Sequence, residues 1–188
     1  MILFRKDREQ QILDLFKKGD KCAMDKLYQE YADHMAGVCA RYISDEENLK
    51  DVLQESFIKI FTQIHLFDYR GKGSLKAWVT RIVINEALME LRKDRTFLVP
   101  LQETAAAGIP DTEPDTEGLD AQTLVSLVRQ LPPGYRAVFN LFVVEEKTHK
   151  EIADILHIQP ATSASQLSRA KQMLTKMIKA HHHKTGKR

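Results

Sequence analysis

Apolar and aromatic residues fall at Met24, Leu27, Tyr28, Tyr31, Met35, Val38 and Tyr42, in steps of three and four. That spacing predicts one face of a helix over 24–42. Gly19-Asp20 before it offers a break and an N-cap. Ser44-Asp45 and two following glutamates open a second helix, the acids favouring its positive end. This helix carries Leu49, Val52, Leu53, Phe57, Ile60, Phe61 and Ile64 on one broad apolar face. A loop follows at 67–74, with Ser74 as the expected N-cap of a third helix over 75–95.

The pattern then lapses. Residues 98–120 hold three prolines, two glycines, six acidic residues and no lysine or arginine. Such a stretch cannot bury enough apolar surface to fold alone and reads as an acidic, flexible linker at 98–118. Helical periodicity resumes over 119–131 and 135–144, with Pro132-Pro133-Gly134 between. A short helix is predicted over 148–157, where Thr148 and Glu151 have the spacing of a capping box. A turn at His157-Ile158-Gln159-Pro160 leads to a last helix over 161–180. The predicted fold class is all-α, two small helical domains at 1–97 and 119–188 joined by that linker.

Two helices joined by a tight turn have the layout of a DNA-reading helix-turn-helix. In the second, Leu167, Ala170, Leu174 and Met177 are expected to face the core. Thr162, Ser165, Gln166 and Arg169 are expected on the opposite side, with Lys176 further along. Gln and Ser suit base edges, and Arg suits guanine or phosphate. The bland reading is a packing unit with a wet polar face. Charge supports the DNA reading: residues 121–188 carry net +7, 98–120 net −6 and 1–97 net +1.

Composition bounds the rest. With 43% hydrophobic and 29% charged residues in 188, the chain has the make-up of a globular protein. No apolar run is long enough to cross a bilayer. The charged start is unlike a signal peptide, so a cytoplasmic location without membrane insertion is expected. Cys22 and Cys39 read as reduced, buried side chains, too few for a disulfide framework or zinc site. His181-His182-His183 reads as a frayed basic tail rather than a metal site, and no metal or other cofactor is expected. No P-loop, dinucleotide fingerprint, HExxH or nucleophile elbow is present, so an enzyme is not expected.

The run Asp51-Val52-Leu53-Gln54-Glu55-Ser56-Phe57-Ile58-Lys59-Ile60-Phe61, then Phe67-Asp68, Arg70-Gly71 and Leu75-Lys76-Ala77-Trp78, resembles the first domain of extracytoplasmic-function (ECF) sigma factors. Leu131-Pro132-Pro133-Gly134-Tyr135-Arg136, Thr148 to Ala153, and Ser165-Gln166-Leu167-Ser168-Arg169-Ala170-Lys171 are similar to their second domain. The resemblance covers nearly the whole chain.

It implies a transcription initiation factor that lends promoter recognition to bacterial core RNA polymerase. Asp51, Gln54 and Glu55 would dock on the polymerase clamp. The loop at 67–74 would take a base flipped out of the minus-ten element, with Arg70 and Lys72 on neighbouring phosphates and Ser74 at its end. Trp78, Arg81 and Asn85 would face the opened duplex. Trp78 has two readings, base-stacking and core, and a lone Trp on an apolar helix is more often core. Thr162, Ser163, Ser165, Gln166, Arg169 and Lys176 would meet the minus-thirty-five element, although family positions that are often basic are Ala164 and Gln166 here. The resemblance also implies an anti-sigma partner. The competing readings are a stand-alone helix-turn-helix regulator, which leaves residues 49–74 without a task, and a helical interaction module without a DNA role.

Overall fold

A computed structural model describes residues 7–93, 116 and 118–185. They form two compact units, with the division falling after Glu90. Among the described residues the regular structure is helical, with no strand. Of the linker expected at 98–118, all but Thr116 and Gly118 lies outside the described residues, as does the end of the helix expected to reach Arg95.

The first unit is built from α1 (Arg8–Lys17), α2 (Ala23–Tyr42), α3 (Glu46–Gln63) and α4 (Ser74–Lys93), with a 3-10 turn at Ile64–Leu66 closing α3. α1 has no counterpart in the predicted elements. Asp7 is its N-cap, its carboxylate accepting from Gln10 N–H at 2.9 Å. α1 buries Ile12 and Leu13, and α2 buries Leu27, Tyr31, Met35, Val38, Cys39 and Tyr42. Two of the predicted α2 core positions are instead open: Met24 is 52% and Tyr28 54% exposed.

The break before α2 also works differently from expectation. Cys22, an exposed residue, occupies the cap position, and the Asp20 carboxylate accepts from its N–H at 2.9 Å. Cys39 is buried as expected, and burial pushes its thiol up to about 12. Asp45 caps α3 as predicted, accepting from Asn48 N–H at 2.9 Å. Polar ties fix α4 on its neighbours: His34 meets the Thr80 hydroxyl at 2.8 Å, and Lys59 meets Glu86 at 2.6 Å.

The second unit contains α5 (Ala121–Arg129), α6 (Pro133–Phe139), α7 (His149–Leu156) and α8 (Pro160–Thr185). α6 runs into a π turn at Asn140–Val144, in which Glu145 N–H reaches Asn140 C=O at 3.0 Å. Leu127, Val128 and Leu131 pack on Ala170, Leu174 and Ile178, with Tyr135 and Phe139 against them. Arg136 is only 4% exposed. Its guanidinium donates to the carbonyls of Arg129 at 2.7 Å and Leu131 at 3.3 Å. A cation at the end of α5 thereby satisfies acceptors that the helix leaves over.

Arg136→Ala is therefore expected to destabilise the second unit by about 2 kcal/mol, since two carbonyls lose a charged donor. Faster amide exchange in α5 and α6, with α2 and α3 unchanged, is the measurement that checks it.

Candidate functional site

Three surfaces carry the residues singled out by sequence. On α3, Asp51, Gln54 and Glu55 are all exposed, as steps of three and four on one helix face require. Beside them lies an apolar groove of about 570 Å³ between α2 and α3, lined by Tyr28, Ala32, Leu53, Gln54, Phe57, Ile58 and Phe61 among others. Tyr28 and Phe57 rings meet at 4.9 Å, and Phe57 and Phe61 at 5.8 Å. Ile58 is 47% exposed.

The broad face predicted for α3 is thus divided. Val52, Ile60 and Ile64 are buried with Ser56, whereas Leu49, Leu53, Phe57 and Phe61 are half-buried. An apolar stripe wider than its neighbours cover leaves a margin for something else. That excess width was the available signal for Tyr28 and Ile58, which the sequence reading did not select.

The second surface begins at the loop over 67–74. Gly71 (φ 117°) and Gly73 (φ 91°) both take backbone conformations that side chains resist. The space around both is open, so conformation rather than crowding requires glycine there. Arg70 and Lys72 are exposed. The Asp68–Arg70 ion pair, 3.6 Å, is fully in solvent and contributes little.

Ser74 is not the N-cap that its sequence suggests. It is the first residue of α4, and its hydroxyl accepts from Arg70 N–H at 3.3 Å. The capping role falls to Glu9, from α1. Its carboxylate, 7% exposed, accepts from the N–H groups of Gly73 (2.9 Å), Leu75 (3.2 Å) and Lys76 (3.0 Å), and from the Tyr31 hydroxyl (3.2 Å). Ser74 N–H reaches Gly71 C=O at 3.0 Å, and Ala77 N–H begins the helical ladder on Gly73 C=O at 2.9 Å. Every donor of the first turn is thereby matched. A second carboxylate from the start of α1, Asp7, accepts the Tyr69 hydroxyl.

Down α4, Trp78, Arg81 and Asn85 share one face at steps of three and four, with Arg81 and Asn85 exposed. Trp78 is half-buried and packs on Phe67 with ring centroids 5.2 Å apart and planes tilted by 43°. Trp78 is thus neither a fully buried core residue nor a fully exposed one.

The third surface is α7–turn–α8. The capping box forms as predicted: Glu151 N–H donates to the Thr148 hydroxyl at 3.3 Å, and Thr148 N–H to the Glu151 carboxylate at 2.8 Å. The Thr148 N–H first, and then the Thr148 hydroxyl, which donates to the same carboxylate at 2.8 Å, hold the Glu151 carboxyl below its usual range. His157 takes a left-handed conformation (φ 55°) and Ile158 N–H closes on Ala153 C=O at 3.1 Å, which makes the turn tight.

On α8 two expected groove-facing residues are corrected. Ser163 is fully buried, its hydroxyl 3.0 Å from His149 Nδ1, and His149 stacks on Phe142 at 4.7 Å. Gln166 is 4% exposed. The buried stripe of Leu167, Ala170, Leu174 and Ile178 continues backward through positions 166 and 163 at helical spacing, so both polar side chains point inward. Thr162, Ser165 and Arg169 are half-buried and Lys176 is exposed. The Ser165 hydroxyl donates to Ala161 C=O at 2.9 Å.

Among the described residues no helix is long and apolar enough to cross a membrane, and no cluster of side chains is arranged to hold a metal ion.

Two family models match in chain order: sigma-70 region 2 over residues 27–97 and sigma-70 region 4 over residues 121–174. Together they define a sigma-70-type chain. The RNA polymerase sigma-H factor of Pseudomonas aeruginosa is 25% identical, over 94% of this chain and 96% of its own length. The ECF RNA polymerase sigma-E factor of Haemophilus influenzae is 28% identical, over 90% and 95%. The ECF sigma factor SigW of Bacillus subtilis is 26% identical, over 87% and 92%. A solved structure of CnrH in complex with the cytosolic domain of CnrY shares the fold, with a TM-score of 0.50 at 19% identity over 93% of this chain and 99% of that one. The chain belongs to the extracytoplasmic-function sigma factors.

The tie between Asp7 and Tyr69 has a definite pH range. The Tyr69 hydrogen bond holds the Asp7 carboxyl below its ordinary value, and the same bond pushes the Tyr69 phenol up to about 12. The depressed carboxyl contributes stability above its ordinary value near 4, lost as pH falls through its lowered value. The raised phenol contributes below its ordinary value near 10, lost as pH rises through about 12. Asp7→Asn is expected to return the Tyr69 ring titration toward 10, followed by NMR of the ring carbons.

Proposed function

We propose that this sigma factor docks on bacterial core RNA polymerase through the α2–α3 groove and its flank of Asp51, Gln54 and Glu55, and opens promoters with the loop at 67–74 and α4. The observation that carries the reading is an apolar aromatic groove and a separate polar, glycine-built surface on one compact unit. The groove suits a helical protein partner, whose apolar side chains Tyr28, Phe57 and Ile58 would help desolvate. Gln54 and the two acids at its edge supply register and charge.

On the other surface, Arg70 and Lys72 hold phosphates beside an extracted base, whose unstacking costs a few kcal/mol. Asn85 reads a base edge, Arg81 holds a phosphate, and the open part of Trp78 stacks on a base. Residues 119–188 anchor upstream duplex at the minus-thirty-five element through Thr162, Ser165, Arg169 and Lys176, aided by the α8 N-terminus. Residues 98–118 serve as the acidic linker between the domain of 1–97 and that of 119–188. The chain works in the cytoplasm without catalysing a reaction itself, the polymerase making the RNA. An anti-sigma factor covers it until a signal arrives.

Reconstituted transcription with bacterial core enzyme, with start sites mapped, tests the reading. A specific start that depends on the added chain supports it, and a chain that never associates with core polymerase ends it. A band shift on promoter duplex by the chain alone, equal to that with polymerase, would instead favour the stand-alone regulator.

Three variants sharpen the assignment. Replacing Asp51, Gln54 and Glu55 together by alanine, or Ile58 by Asp, is expected to weaken core binding at least tenfold with the helical circular dichroism unchanged, since these side chains are exposed. Asn85→Ala is expected to reduce permanganate reactivity of the opened strand several-fold while footprints on upstream duplex persist; unchanged permanganate patterns would remove Asn85 from the site.

A further inference from the structure

The segment from Tyr69 to Gly73 is held at both ends by carboxylates from one turn of α1. Asp7 takes the Tyr69 hydroxyl at one end, and Glu9 takes Gly73 N–H, with Leu75 and Lys76, at the other. Between these ties stand Arg70, Gly71 and Lys72. The backbone there makes few bonds of its own: Arg70 N–H reaches Ser74, and Gly71 C=O accepts from Ser74 N–H. A partly open surface pocket of about 620 Å³ is lined by Lys72, Gly73 and Lys76 together with Asp7, Glu9 and Tyr31. Glu9 bridges that lining, accepting from the Gly73 and Lys76 N–H groups.

We infer that Glu9 is a positioning residue for promoter opening: from α1 it fixes the first turn of α4 and the end of the loop that carries Arg70 and Lys72. Asp7 is the second tie of the same device. This rests on the function proposed above. A buried carboxylate facing three converging N–H groups and a hydroxyl makes only charge-assisted bonds. An amide in its place keeps one acceptor but turns an N–H₂ group toward a donor. Glu9→Gln therefore loosens the junction without removing side-chain volume.

The test uses the full chain bound to core polymerase and a promoter mapped with the wild type. Single-stranded DNA of its minus-ten non-template strand is compared with versions made abasic at one position at a time. The wild type discriminates at the captured base. Glu9→Gln is expected to lose at least fivefold of that discrimination, with core affinity within twofold of wild type. Tyr69→Phe, which severs only the other tie, and Asp7→Asn, which weakens it while the Asn oxygen keeps the α1 cap, are expected to lose twofold to fivefold.

A merely structural role would lower the melting temperature and leave the discrimination ratio alone, and that result in Glu9→Gln overturns the inference. Where Glu9→Gln fails to fold, full discrimination by both Tyr69→Phe and Asp7→Asn overturns it. A wild-type chain that opens no promoter overturns the functional reading and this inference together. Wild-type opening with an undisturbed Glu9→Gln variant overturns this inference alone.

Discussion

A single carboxylate joins three helices of the first unit. Glu9 belongs to α1, accepts from Tyr31 of α2 and caps the start of α4. Leaving that helix start unmatched would strand several donors, each costing about 1–3 kcal/mol where water cannot reach. The two positive-φ glycines explain why the cap has to come from elsewhere. They turn the chain into α4 from a direction in which Ser74 lies inside the first turn and cannot reach back over it. The burial that makes Glu9 useful also pushes the Tyr31 phenol well above its ordinary value, desolvation first and the Glu9 charge next. Tyr31 is thus kept as a neutral donor across the working pH range.

Much of the helical plan was legible because periodicity and capping are local. α2, α3 and the capping box of α7 follow from spacing and from Asp45 and Thr148. α1 was not read, although Asp7 followed by Ile12 and Leu13 marks a capped helix with an apolar side. Its ten residues are few for a pattern to stand out, and its chief role, through Glu9, is a contact across more than sixty positions. Sequence spacing says which residues share a face, but not how much of that face a neighbour covers. This is why Tyr28 shares the predicted apolar face of α2 yet is exposed, and why the margin of α3 is only half-buried.

The same limit explains α8. Hydrophobic residues alone put its inward side at Leu167, Ala170 and Leu174, and polarity suggested that Ser163 and Gln166 lay opposite. Geometry decides otherwise, because positions 163 and 166 lie on the backward extension of that stripe. Ser163 is accommodated by His149, itself stacked on Phe142. Arg136 in the same unit is a parallel case, a charged residue buried because two helix-end carbonyls need donors. In both, the polar residue is matched inside the unit, and residue type alone could not reveal it.

The candidate surfaces of the first unit differ in the forces they can use. The α2–α3 groove presents aromatic and aliphatic area, whose burial yields roughly 25 cal/mol per Å² and responds weakly to salt. The loop and α4 face present Arg70, Lys72, Arg81 and Asn85 with glycine backbone, and the attraction of cations for a phosphate chain weakens as salt rises. On the function proposed above, the protein partner is kept by apolar contact while the grip on DNA stays adjustable by salt. An exposed arginine or lysine still reaches a phosphate after a small shift, because charge attraction falls off gradually with distance. A pocket for an extracted base, by contrast, needs its backbone in place. In the inference drawn above, the Asp7 and Glu9 carboxylates at the two ends of Arg70–Lys72 set that backbone.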